Sequence, residues 1–122
     1  MELTVDLAAA VPIVRITGDM RLWGKQELSD HIRESLHALM AQKHTRIVVS
    51  LAGVTRIDSR GIGCLARCHA TAIINNTDIS LVVKPGQVLD ALRQLNFVRL
   101  YPVFPDEATA LAQPAAKPKS KL

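Results

Sequence analysis

Leu3, Val5 and Leu7 alternate with Glu2, Thr4 and Asp6, the period of two expected of a strand with one buried face, here predicted at a sheet edge. Ala8 to Ala10 turn the chain, and Val11 to Thr17 reads as a second strand, ended by Gly18-Asp19. A loop, GDMRLWG, spans Gly18 to Gly24. From Lys25 to Met40 the apolar positions Leu28, Ile32, Leu36, Leu39 and Met40 recur at helical spacing, which predicts an amphipathic helix. Ile47, Val48, Val49 and Leu51 then form a short continuous apolar run, the pattern of a strand buried on both faces in a parallel sheet. Ala52-Gly53-Val54-Thr55 reads as a loop, and from Asp58-Ser59-Arg60-Gly61 helical spacing returns, with Ile62, Leu65, Ala66, His69, Ala72 and Ile73 on one face.

Asn75 to Asp78 suit a helix stop and a turn, and Ile79 to Val83 reads as the next strand. Strand, helix and strand in that order imply a right-handed crossover and parallel pairing. After Lys84-Pro85-Gly86, a short helix is predicted on Val88, Leu89, Leu92 and Leu95, with Asn96 as its C-cap. Leu100 to Phe104 is a brief extended piece. Pro105 opens a last helix through Leu111, with Asp106 and Glu107 in the first turn where the helix dipole favours acids. The expected fold is α/β: one domain over residues 1–112, a mixed sheet of four or five strands with about four helices.

The chain has 122 residues, 48% of them hydrophobic, enough for one core without disulfides or a metal. Its only aromatics are Trp23, Phe97, Tyr101 and Phe104, so that core is aliphatic. The formal charge of +4 sits mostly in residues 113–122, which hold Lys117, Lys119 and Lys121 and no acid; this Pro/Ala/Lys-rich stretch is expected to be a disordered basic tail. A near-neutral body argues against direct nucleic-acid binding. Three tail lysines are fewer than the roughly 4–8 of a lipid-binding cluster. No signal peptide or 18-residue apolar run appears, so no membrane insertion is expected and the chain reads as cytoplasmic. Cys64 and Cys68, four apart on one helix, read as two small, partly buried thiols, and neither His69 nor the spacing of His31, His37 and His44 completes a metal site. No cofactor or metal is expected.

The candidate chemistry lies where the central loop becomes a helix. The first N–H groups of a helix lack intrahelical partners and carry partial positive charge. Ser59 can cap them, as can Asp58, and a phosphate on the Ser59 oxygen would meet more of them with favourable charge. Arg60 adds a guanidinium, and Gly61 and Gly63 leave space. Trp23 reads either as a lid over the open end of the core or as a partner contact.

VVSLAGVTRIDSRGIGCL resembles the signature of STAS domains, the family of bacterial anti-sigma-factor antagonists and of the cytoplasmic domains of sulfate transporters. LVVKPGQVLDALRQLNFVRLYPVFPDEATAL is similar to that family's ending, and the resemblance runs from about Leu3 to Ala112. Ser50 stands where the family commonly has Asp, Arg60 where a small residue is common, and Met20-Arg21 where a Leu-Asp-like pair is usual.

The resemblance implies that Ser59 is phosphorylated by an anti-sigma factor that is itself a serine kinase, and that Asp58, Ser59, Arg60, Gly61, Ile62 and Trp23 form the partner surface. The alternative it implies is a non-catalytic STAS subunit of a larger assembly, in stress signalling or a lipid-transport ABC complex. An enzyme is not expected: Gly61-Ile62-Gly63 is half a dinucleotide fingerprint, and no Walker A motif or catalytic carboxylate pair is present.

Overall fold

The structure is a computed structural model that describes residues 1–113. The elements in order are β1 (Glu2–Asp6), β2 (Ile13–Met20), α1 (Gln26–Ala41), β3 (Arg46–Ile57), α2 (Ser59–Ile74), β4 (Asp78–Val82), α3 (Gln87–Gln94), a 3-10 turn (Phe97–Arg99), β5 (Val103–Phe104) and α4 (Glu107–Ala112). The strands lie in sequence order in one five-stranded sheet. β1 is antiparallel to β2, and every later pairing is parallel. The expected mixed sheet is therefore present, with β1 at its edge. The basic tail expected at 113–122 lies, apart from Gln113, outside the described residues.

β3 is longer than its apolar run. The expected loop at Ala52 to Thr55 is strand, and β2 likewise runs through Gly18-Asp19 to Met20. The two strands extend each other: Gly18 pairs with Val54, Asp19 with Arg56 and Met20 with Ile57, across two register shifts. The first shift flips the alternation set by Ile47, Val49 and Leu51, so Val54 enters the core out of phase, and the second restores it, so Ile57 faces in again. Gly53 permits the close approach, since a Cβ there would stand 2.7 Å from Thr17 Cγ2. A turn-like Ala-Gly pair is thus a bulge in a strand, which a period-two pattern cannot reveal.

α1, α2 and α3 pack on the face carrying Val14, Ile16, Val49, Leu51 and Leu81. α4 covers part of the other face through Ala110, against Ile13, Val48 and Val82. Arg15 fixes it there, donating to both Glu107 oxygens at 2.9 and 2.8 Å and to Asp6 at 2.8 Å. The buried stripe of α2 is rotated from the expected one: Gly61, Ile62, Cys64, Leu65, Cys68 and Ala72 face inward, while Ile73 is exposed. Both cysteines are fully rather than partly buried, serving as small apolar side chains.

Tyr101 is buried beneath α2, and its hydroxyl donates to the Leu65 carbonyl at 2.6 Å. That bond ties the connection before β5 to the middle of α2. Tyr101→Phe keeps the ring and loses the bond, so it should cost about 1 kcal/mol in urea unfolding; an unchanged midpoint would remove this tether from the account.

Candidate functional site

The parallel strands β2 and β3 end side by side at Met20 and Ile57. Each then leads into a helix, so the loop before α1 and the start of α2 meet at one end of the sheet. Gly61 allows the meeting: a Cβ on it would fall 2.5 Å from the Met20 carbonyl oxygen and 2.7 Å from Ile57 Cγ1.

Asp58 is the N-cap of α2, with extended backbone and a side chain that accepts from Gly61 N–H at 2.8 Å. Ser59 is the first helical residue, so of the two candidate caps Asp58 takes the role. An oxygen at the N-cap reaches back over the first turn, whereas a side chain one residue later points outward. The Asp58 carboxylate also crosses to the other loop, accepting from Leu22 N–H at 3.0 Å and Trp23 N–H at 3.1 Å. Burial pushes this carboxyl up, but the backbone N–H groups of Gly61, Leu22, Trp23 and Arg60 outweigh it and hold the group below the ordinary aspartate value.

Ser59 and Arg60 are exposed. Trp23 is 70% exposed, so it is no lid over the core. Its ring lies beneath the Arg60 guanidinium, 4.7 Å from the centroid, a cation–π contact worth about 0.5–1 kcal/mol at an exposed site. Leu22 is the buried residue of this loop and closes the core instead. Gly61 and Ile62, expected on the partner surface, are buried and lie beneath it, supporting it from below. Asp58, Ser59, Arg60 and Trp23 are brought together.

Beside Ser59 lies a groove of about 500 Å3 between the starts of α1 and α2. Its lining includes Lys25, Arg60 and Arg67, with no acid. Sequence reading did not single out Lys25 or Arg67, although Lys25 flanks the α1 start and Arg67 lies two turns along α2 from Arg60. Cys64 forms part of the floor, its thiol 3.6 Å from the Ser29 carbonyl. A hydrogen bond from Cys68 draws the Cys64 thiol down to about 7, and the same bond with burial pushes Cys68 up.

Among the described residues no histidine lines the groove beside Ser59. His69 lies ten residues along α2, about 15 Å at 1.5 Å per residue, and meets Tyr101 edge-on at 4.8 Å. Among the described residues no group of three His, Cys, Asp or Glu side chains is placed to hold a metal ion, and no helix is long and apolar enough to cross a membrane.

Asp58→Ala should destabilise the domain by about 2 kcal/mol, because it removes a cap and both bonds to the Trp23 loop. The lowered carboxyl stabilises the fold above its unfolded value near pH 4, and that contribution is lost as pH falls through the lower folded value. The gap between wild type and Asp58→Ala should therefore narrow below about pH 4 in acid unfolding curves; a constant gap would show that the carboxylate charge is not what matters. Gly61→Ala should cost about 2 kcal/mol or more, since the Met20 backbone cannot give way, and a thermal midpoint equal to wild type would contradict the close approach.

The fold is found in known proteins. The structure is similar to a crystal structure of an anti-sigma factor antagonist from Mycobacterium paratuberculosis, with TM-score 0.76 and 17% identity over 90% of each chain. It is also similar to the anti-sigma factor antagonist SpoIIAA in its unphosphorylated form, with TM-score 0.66 and 12% identity over 90% of this chain and 94% of that one. The Bacillus cell fate determinant SpoIIAA in the phosphorylated form gives TM-score 0.68 and 14% identity, over 90% and 96%. At such identities these likenesses are of fold. No curated protein matches the chain by sequence. A family profile described as "Mlab, STAS domain" matches residues 3–102, and over that span, most of its length, the chain belongs to the STAS domain family.

Proposed function

We propose that this domain is an anti-sigma-factor antagonist: a non-catalytic, cytoplasmic binding module that sequesters an anti-sigma factor acting as a serine kinase, and so regulates transcription. Phosphorylation of Ser59 switches it off. The observation that carries this reading is the division of labour at the start of α2. Asp58 performs the cap, which leaves the Ser59 hydroxyl at an exposed position beside Trp23 and Arg60. The fold likeness to SpoIIAA, a protein described in both phosphorylated and unphosphorylated forms, supports it.

A phosphate adds about −1.5 to −2 charge units at neutral pH. At the first turn of a helix that charge is favourable, so the domain stays folded when modified. At an interface the same charge must be desolvated. A penalty of about 4 kcal/mol there weakens binding roughly a thousandfold.

A second reading is a non-catalytic STAS subunit of a larger assembly, a stress-signalling or lipid-transport ABC complex. The matching family profile, described as "Mlab, STAS domain", favours it.

Mass spectrometry of the protein isolated from its own cells should find phosphate on Ser59 and a kinase-like protein copurifying; a membrane ATPase in its place would favour the second reading. Ser59→Asp should lose that partner about a thousandfold while melting no lower than wild type, and Ser59→Ala should retain it. Equal affinity of both variants and wild type would overturn the switch.

A further inference from the structure

We propose that the groove beside Ser59 receives an acidic segment of the protein partner, with carboxylates held by Lys25, Arg60 and Arg67 and an apolar side chain resting on Trp23. This rests on the binding-module reading and specifies the chemistry of the partner.

The groove concentrates charge of one sign on a nearly neutral body. Residues 1–112 hold 12 basic and 11 acidic side chains, yet Lys25, Arg60 and Arg67 share the groove with no acid. All three are exposed, and among the described residues none is in an ion pair. Asp58, beside Ser59, is committed to backbone donors from Gly61, Leu22 and Trp23, and Asp30 to Gln26 and Arg33. Asp19 is committed to Arg21, though its charge also reaches Lys25. Like charges gathered in a concave site attract an opposite charge and reject their own.

The shape selects a protein segment over a nucleic acid. Nucleic-acid surfaces run cations along a track with several aromatics for base stacking. Here three cations close around one recess whose lining holds no aromatic, and Trp23, 70% exposed, stands beside it under Arg60. An exposed tryptophan beside arginine is the composition of a protein-binding hot spot. Gly24 and Gly63 keep the groove walls low, so a backbone can lie across them.

The switch then has a specific cause. Ser59 lines the same groove. A phosphate on its oxygen would stand among the cations that the partner's carboxylates use, and would compete for them within the molecule. Arg60 is the pivot, since it can exchange the Trp23 ring for the phosphate.

The test is a 15N NMR titration of the full chain at low salt with three probes. They are a 12-residue Glu-rich peptide carrying one Leu-Phe pair, single-stranded dT12, and phosphatidylglycerol vesicles. The peptide should move the amides of Lys25, Gly63 and Arg67 and the Trp23 indole, with Kd near or below about 1 mM. A Gln-for-Glu control peptide should not, and about 0.5 M salt should weaken binding at least fivefold. K25E/R67E, or K25Q/R67Q if the first fails to fold, should weaken it at least tenfold. Shifts scattered over the chain, binding unchanged in the variants, or tighter binding of dT12 or vesicles at the same amides would each overturn the assignment. Ser59→Asp separates the two claims. If it takes the peptide as well as wild type does, the groove stands and the switch falls. If the peptide fails to bind while Ser59→Asp still loses the cellular partner, the switch stands and the groove falls.

Discussion

One carboxylate holds the functional end of this domain together. Asp58 accepts from the fourth residue of its own motif, Gly61, and from Leu22 and Trp23, 36 and 35 residues earlier. Two loops that follow adjacent parallel strands are thereby locked to each other. The energetic logic is that of any buried acceptor: N–H groups at a helix start and in a tight loop have no partners of their own, and a single anion satisfies them together. Because Asp58 does this, Ser59 is released from structural duty.

Around that lock the sheet supplies rigidity and the surface supplies chemistry. β2 and β3 are bonded to their ends, Met20 opposite Ile57, so the loops spring from a fixed base. Leu22 turns in to close the core while Trp23, its neighbour, turns out. The loop thus has an anchor and a sensor side by side. Arg60 covers the indole, and with Lys25 and Arg67 it gives the groove its sign. Elsewhere, Arg15 with Glu107 and Tyr101 with Leu65 tie the scaffold together.

Much of this was legible in the residues. The alternation of Leu3 and Val5, the apolar run at Ile47 to Leu51 and the stripe of α1 gave the sheet and helices their places. The Asp-Ser-x-Gly motif located the start of α2 and its exposed serine. Three things were hidden for physical reasons. The extension of β3 through Ala52 to Ile57 depends on register shifts, which scramble the period that marks a strand. The inward face of α2 uses Cys64 and Cys68, and their role as apolar side chains depends on what packs over them. Lys25 and Arg67 lie 42 residues apart, and only the crossover that packs α1 beside α2 brings them to one groove. Whether Trp23 closes the core or faces outward was open, because hydrophobicity alone does not say which of Leu22 and Trp23 faces in.

The most direct measurement is amide hydrogen exchange at Leu22, Trp23 and Gly61 in wild type and in Asp58→Asn, a variant of nearly the same size without the charge. If the carboxylate is the lock, these three amides are protected in wild type and exchange at least tenfold faster in the variant, while Val49 in the central strand is unchanged. Equal protection at all three in both proteins would mean that the loops are held by something other than Asp58, and that the freedom of Ser59 has another origin.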